Sequence, residues 1–434
     1  MAKMTKGVQQ REVLSSTATL KMSLRKSWFR LRRLTRNSKI ILEGEKPITT
    51  ISIVDFAKAD VADIKILDSS DASVQTLELD APDDLVAQRQ EALLIVGKGV
   101  YKLESSYEIP SCGEHEIIIR NKAVGLNPID WKSVDYNFCM PEFPWVSGSL
   151  FLTPVLKYSH SQINGRESAG TVSHIGASVT GVKVGDRVWT STYYRDRRAG
   201  CFQQYVTVPK HTACPIPSSL DYTSAACLGV AGLTAAMTLW RWLGVPMSLP
   251  SETAQDSEPE YLLIWGGSTA TGQFAIQIAS QSGLKVIAVT SAKTSSLARD
   301  LGAAHVVTRD GKTNDAILAE IKSIGGERIT RGIDLVGGAT AALGLLAMSS
   351  ERPSVFAPLA MMARDQVVPV GVRIETVEMK QFVLDADSVR YAEELNRLIE
   401  TGRLRLPEIH AMDGGLGVVE EGLRRVKMGD MAGK

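Results

Sequence analysis

The chain has 434 residues, 49 Lys and Arg against 48 Asp and Glu, 44 % hydrophobic residues and five cysteines. That length suffices for two or three domains with a core each, and the near-zero net charge removes the strongest argument for a nucleic-acid partner. The cysteines, Cys112, Cys139, Cys201, Cys214 and Cys227, are odd in number and form no C-x-x-C pair, which argues against a disulfide scaffold or zinc knuckle and for a reducing compartment.

The charge balance hides a segregation. Residues 1–40 hold eleven Lys and Arg and one acid, Glu12, whereas residues 41–90 hold eleven acids and four bases. Leu24, Trp28, Leu31 and Leu34 recur at helical spacing among arginines and lysines, which predicts a short basic amphipathic helix. Residues 1–90 are otherwise expected to be a disordered extension. Their Arg- and Ser-rich start also resembles a mitochondrial presequence, the alternative to a cytoplasmic address. No run of about 18 apolar residues and no apolar leader with a cleavage site is read, so a soluble, non-secreted chain without a membrane partner is expected.

From Ala92 onward the pattern predicts short strands at 93–96, 116–121, 170–175, 187–192 and 204–208, broken by Gly and Pro, as in an antiparallel barrel or sandwich. Apolar helical spacing follows over 225–243, then a polar loop over 249–260. Beyond it strands and helices alternate. Strands are predicted at 261–265, 285–290, 305–307, 332–336 and 354–360, and helices at 272–282, 294–301, 316–324 and 340–348. Strands recurring after helices of about 10–15 residues mean βαβ units and a doubly wound parallel sheet.

The first of those strands runs into Gly266-Gly267-Ser268-Thr269-Ala270-Thr271-Gly272, where a helix opens at once. A dinucleotide site needs a tight turn there, close approach of the backbone to the pyrophosphate, and free N–H groups at the helix start. The central glycine of G-x-G-x-x-G is replaced by Thr269, so a Gly-rich turn without a ligand is the competing reading. Where an NAD site carries an acid for the ribose, at the end of the second strand, the sequence is Thr290-Ser291-Ala292-Lys293. The hydroxyl of Ser291 and the ammonium of Lys293 suit a 2′-phosphate, which predicts NADPH.

Residues 92–434 resemble the zinc-free branch of the medium-chain dehydrogenase/reductase superfamily, most closely the fungal trans-acting enoyl reductases that partner polyketide synthases. The motifs that carry the resemblance are Val96-Gly97-Lys98-Gly99, Ala123-Val124-Gly125-Leu126-Asn127-Pro128-Ile129-Asp130-Trp131-Lys132, Gly165-Arg166-Glu167-Ser168-Ala169-Gly170, Val184-Gly185-Asp186-Arg187-Val188, Ala231-Gly232-Leu233-Thr234-Ala235 and the Gly266–Gly272 turn. The resemblance implies a GroES-like β-rich catalytic domain closing on a Rossmann domain, with NADPH in the cleft. The expected organisation is an extension at 1–90, the GroES-like domain at 91–221, the Rossmann domain at 222–375 and a return to the catalytic domain at 376–434.

Zinc-dependent relatives place a catalytic Cys where this chain has Asn127–Lys132, and Gly-His-Glu where it has Gly165-Arg166-Glu167; their four-cysteine lobe is missing, and no two of the six histidines stand at ligand spacing. A metal-free reaction is therefore expected. The natural one is hydride delivery to the β-carbon of an α,β-unsaturated thioester, with donors for the developing oxyanion. By the resemblance Asn127, Lys132 and Thr234 lie near the nicotinamide end, and Lys132 is expected to contact cofactor or enolate because an ammonium both stabilises charge and donates a proton. The plainer alternatives are a solvated lysine for Lys132 and a pre-proline turn for Asn127. Tyr193, Tyr194 and Arg195 are placed at the border of the substrate channel, with packed aromatics as the alternative. Glu167 and Asp186 are read as holding turns and barrel geometry.

Residues 146–162 interrupt the resemblance. Val146-Ser147 is codable by a splice donor and Gln162 by an acceptor, so a retained intron of 51 nucleotides, seventeen codons, is expected. The chain also stops at Met431-Ala432-Gly433-Lys434, where relatives continue into a last strand. Three functions follow as expectations: an enoyl reductase acting on a carrier-bound acyl chain of a polyketide synthase, a stand-alone quinone or enone reductase with a small-molecule substrate, and a silent nucleotide-binding scaffold.

Overall fold

A computed structural model describes residues 89–136, 162–193, 196–247 and 258–429, together with five short strands nearer the N-terminus. Residues 1–87 form a unit of their own, in which β1 (Thr19–Lys21), β2 (Ile40–Glu43), β3 (Thr49–Ser52), β4 (Ile64–Leu67) and β5 (Gln75–Leu77) pair in chain order. The basic helix expected around Trp28 lies outside the described residues, as do residues 146–161 and the final five residues.

The second unit, residues 88–434, begins with a β-rich part. β6 (Arg89–Gly97) and β7 (Val100–Glu108) form a hairpin, joined on the other edge of β6 by β9 (Gln162–Ile163). β8 (Glu116–Val124) leads into α1 (Pro128–Tyr136) and pairs with β10 (Glu167–Ile175) and β12 (Tyr205–Pro209). β11 (Arg187–Ser191) and β13 (Ala213–Pro215) complete an antiparallel sheet in the order β12-β8-β10-β11-β13. Ile117, Ile119, Val172, Val188, Val206 and Val208 fill its interior, as strict alternation of one buried face requires.

A 21-residue helix, Tyr222–Trp242, connects this part to the parallel sheet. It runs through α2 (Tyr222–Ala225) and α3 (Leu233–Met237) with wider π-type turns at Leu228–Gly232 and Thr238–Trp242. Its length and apolarity would suffice to cross a bilayer, a feature the sequence expectation passed over because Thr223, Ser224, Thr234, Thr238 and Arg241 interrupt the apolar run. In the fold most of it is buried, and Leu228, Leu233, Ala236, Met237 and Leu239 lie in one core with Phe274 and Leu395.

The parallel sheet comprises β14 (Tyr261–Trp265), β15 (Lys285–Thr290), β16 (His305–Thr308), β17 (Ile329–Asp334), β18 (Ser354–Pro358) and β19 (Val372–Ile374). Its order, β16-β15-β14-β17-β18-β19, reverses direction between β14 and β17, which is the doubly wound dinucleotide-binding order. The crossovers are α4 (Ala270–Gln281), α5 (Ser295–Asp300), α6 (Asn314–Gly325) and α7 (Ala339–Ala347). Leu262 and Ile264 pack into the core on one face of β14 while Tyr261, Leu263 and Trp265 pack on the other, so the strand is apolar throughout, as burial on both sides demands. The expected α/β architecture is therefore the observed one.

After β19 the chain forms α8 (Gln381–Leu384), α9 (Val389–Glu400) and α10 (Val419–Met428). α9 packs on the long helix. α10 returns to the β-rich part, where Val419 and Leu423 join Ala92, Leu94, Ile163 and Phe202 in one core and Lys427 pairs with Asp135 of α1 at 2.5 Å.

Candidate active site

A cleft of about 1270 Å³ opens at the carboxyl ends of β14, β17 and β18, with the β8–α1 connection and the long helix on its opposite wall. Open doubly wound sheets bind ligands at this switch point because the strand ends and helix starts diverge there. Asn127, Lys132 and Thr234 line it from one side and Thr269, Ala270 and Thr271 from the other. The structure thus gathers six of the residues singled out from the sequence.

The nucleotide side is made of backbone. Gly266 takes φ +91°, which side chains resist, and a Cβ on Gly272 would stand 2.4 Å from the Gly266 carbonyl oxygen. Thr269 stands where a middle glycine is usual and serves another purpose: it is the N-cap of α4, its hydroxyl accepting from the Gly272 N–H at 3.0 Å and donating to the Gly266 carbonyl at 2.9 Å. The N–H groups of Ala270 and Thr271, in the first turn, have no intrahelical acceptor and, with the positive end of the helix dipole, would suit an anion. Gly267 and Ser268 shape the turn; a Cβ on Gly267 would press on Ala288 at 3.0 Å. This cradle fits a dinucleotide pyrophosphate.

At the end of β15 Thr290 is buried, and Ser291 and Lys293 sit outside the cleft lining, Lys293 exposed. Ser291 Oγ is within hydrogen-bond distance of Thr294 Oγ1, at 3.0 Å. Sequence reasoning missed an acid here. Asp310, from the turn after β16, accepts a hydrogen bond from the Ala292 N–H at 2.5 Å. The spacing rule looks for an acid at the end of the second strand, and this one arrives from the third.

Deeper in the sheet, Asp334 ends β17 with no exposure, accepting from the Gly337 N–H at 2.6 Å and the Thr340 hydroxyl at 2.7 Å. Burial pushes its pKa up despite those donors. It fixes the loop that carries Leu335 into the cleft.

The opposite wall is made of side chains. Asn127 is buried; its N–H donates to Asp130 Oδ2 at 2.9 Å and its Nδ2 to Glu167 Oε1 at 2.8 Å. Glu167, wholly buried on β10, also accepts the Val230 N–H at 2.6 Å. That N–H lies in a π-type turn of the long helix, so one carboxylate ties β10, the β8–α1 connection and the helix together. Lys132, on α1, is partly exposed, with Nζ 5.7 Å from the centre of the Trp131 ring. Arg166, Tyr193 and Cys227 also line the cleft; Tyr194 and Arg195 lie outside the described residues. Arg166, in the Gly165-Arg166-Glu167 motif, was given no role in the site, and no motif marks Cys227. Cys201 is buried beside Thr192, and burial raises its pKa to about 12, so it stays a thiol. Among the described residues no group of three or more His, Cys, Asp or Glu could hold a metal ion.

Residues 113–218 match the alcohol dehydrogenase GroES-like domain. The chain is 33 % identical over 217 residues to dehydrogenase pigH of Monascus ruber, covering 48 % of this chain and 54 % of that protein. It is 26 % identical over 376 residues to trans-enoyl reductase buaC of Petromyces alliaceus, covering 81 % and 97 %. The chain thus spans little more than half the length of the dehydrogenases it matches first. Among solved structures, a Pseudomonas syringae quinone oxidoreductase superposes with a TM-score of 0.59 at 21 % identity, over 80 % of this chain and 98 % of that one. A mycobacterial protein complexed with NADPH gives 0.57 at 19 % identity, over 78 % and 96 %. The chain thus carries a GroES-like domain over residues 113–218 and is similar to trans-enoyl reductases over most of its length.

Proposed function

We propose that the chain is an NADPH-dependent reductase of the C=C bond conjugated to an acyl thioester, acting on a chain carried by a polyketide synthase. The observation that carries this reading is the sharing of one cleft by a pyrophosphate cradle and by Asn127, Lys132 and Thr234.

The bound dinucleotide would supply a hydride to the β-carbon of the alkene. The remaining work falls to the chain. The N–H groups of Ala270 and Thr271 hold the pyrophosphate, and Ser291 and Lys293 attract the 2′-phosphate. Asn127, its Nδ2 held by Glu167, fixes the wall against which the nicotinamide end lies. Lys132 offers a positive charge to the enolate oxygen as it develops and a proton to the α-carbon afterwards. Thr234 adds a hydroxyl from the helix.

The test is NADPH oxidation by purified protein with an enoyl chain on an acyl carrier, the same chain as a free thioester, and a simple quinone. Turnover confined to the carrier-bound chain is expected. Quinone turnover alone favours the stand-alone reductase, and NADPH binding without turnover favours the scaffold. Lys132→Met is expected to lower kcat about 10²-fold while leaving NADPH affinity within twofold, which separates a chemical role from a binding one.

A further inference from the structure

We propose that Asp310 is a specificity-determining residue that weakens selection for the 2′-phosphate, so that the unphosphorylated dinucleotide competes with NADPH. This rests on the nucleotide site proposed above. It goes against the preference that Ser291 and Lys293 create and arises from a residue outside the strand those two follow.

The placement is a consequence of sheet order. β15 and β16 are parallel neighbours, with Thr290 opposite Thr308, so their carboxyl ends open onto the same rim. The Arg309 N–H donates to the Thr290 carbonyl at 3.0 Å, which locks the exit of β16 against the exit of β15. The next residue, Asp310, is thereby delivered to the Ala292 N–H, with Oδ2 at 2.5 Å. The backbone donor nearest Ser291 is therefore already satisfied by a carboxylate. The hydroxyls of Ser291 and Thr294 lie 3.0 Å apart and engage each other. Of the charged groups on this rim, Lys293 and Arg309 are exposed cations and Asp310 an exposed anion.

A ribose 2′-hydroxyl is neutral and donates to a carboxylate readily. A 2′-phosphate is doubly charged near neutral pH, donates nothing when fully ionised, and must either displace Asp310 from the Ala292 N–H or lie beside it. Lys293 and Arg309 reduce that repulsion, and water screens it, because the rim is open. The net outcome is a narrowed margin between the two dinucleotides.

Direct binding tests this. Kd for NADPH and for NADH is measured by calorimetry on the full chain and on Asp310→Asn, Asp310→Ala and Lys293→Ala, with circular dichroism to establish that each is folded. Both Asp310 variants are expected to bind NADPH about tenfold more tightly with NADH affinity unchanged or modestly weaker, and Lys293→Ala is expected to lose NADPH affinity alone. If Asp310 only braces the turn, both variants weaken the two dinucleotides equally and melt earlier, which overturns the inference. Unchanged NADPH affinity in both variants overturns it as well, while leaving the cofactor reading intact. Failure of the unsubstituted chain to bind either dinucleotide overturns both.

Discussion

The parallel sheet and the β-rich part face the same cleft with different atoms. On the sheet side the groups that would touch a cofactor are peptide N–H groups, set by a positive φ at Gly266 and a close approach at Gly272. On the β-rich side they are side chains, Asn127 and Lys132, set by hydrogen bonds between residues far apart in sequence. The lesson is one of vulnerability. Where backbone makes the site, adding a methyl group is damaging; where side chains make it, removing a partner is.

Glu167→Ala sharpens that contrast most. It strips the acceptor from the Val230 N–H and from Asn127 Nδ2 in a wholly buried place, and two unpaired donors plus a cavity are expected to cost about 4 kcal/mol. Urea denaturation reads this as a lower midpoint with an unchanged slope. An effect below about 1 kcal/mol would mean that β10 and the helix are held by something other than this carboxylate.

Gly272→Ala is the matching change on the other wall. Its Cβ would meet the Gly266 oxygen at 2.4 Å, and overpacking is expected to cost about 2–3 kcal/mol. Dinucleotide affinity should vanish with it, because the turn must open to relieve the contact. Calorimetric titration would show this, and undiminished affinity would break the claim that backbone approach builds the cradle.

Thr269→Ala is a smaller test of the same wall. Loss of the cap on the Gly272 N–H is expected to cost about 1 kcal/mol, measured by thermal unfolding.

The smallest effect belongs to a site remote from the cleft. Glu327 accepts from the Ser349 hydroxyl at 2.6 Å and the Ser350 N–H at 2.8 Å, and these donors lower its pKa from 4.5 to about 2. Its folded value lies below its unfolded one, so its stabilisation is full above pH 4.5 and is lost as pH falls toward about 2. Unfolding profiles of the native chain and of Glu327→Gln should therefore differ at neutral pH and converge in acid.

The parallel sheet was legible in the sequence because apolar runs such as Tyr261–Trp265, set between Pro259 and Gly266, alternate with amphipathic stretches, a local pattern. β7 was not, because Val100–Glu108 is largely exposed and reads as a polar loop. β17 came out shifted, as its first residues, Ile329–Arg331, look like the tail of the preceding helix. α10 has a clear apolar stripe, yet nothing local says that Val419 and Leu423 meet Leu94 some three hundred residues earlier. For the site, the glycine turn and the Asn127–Lys132 segment were readable as motifs. The Glu167 clamp and the Asp310 contact were not, since each depends on which strand lies next to which.

Hydride transfer in this cleft, from the dinucleotide to an alkene beside a thioester as proposed above, can be followed by isotope. NADPH carrying deuterium at the transferable position of its nicotinamide ring, incubated with the protein and a carrier-bound enoyl chain, tests it by mass spectrometry of the released acyl group. The label is predicted at the β-carbon of a saturated product; an unreduced chain, or a saturated one without deuterium, would contradict it.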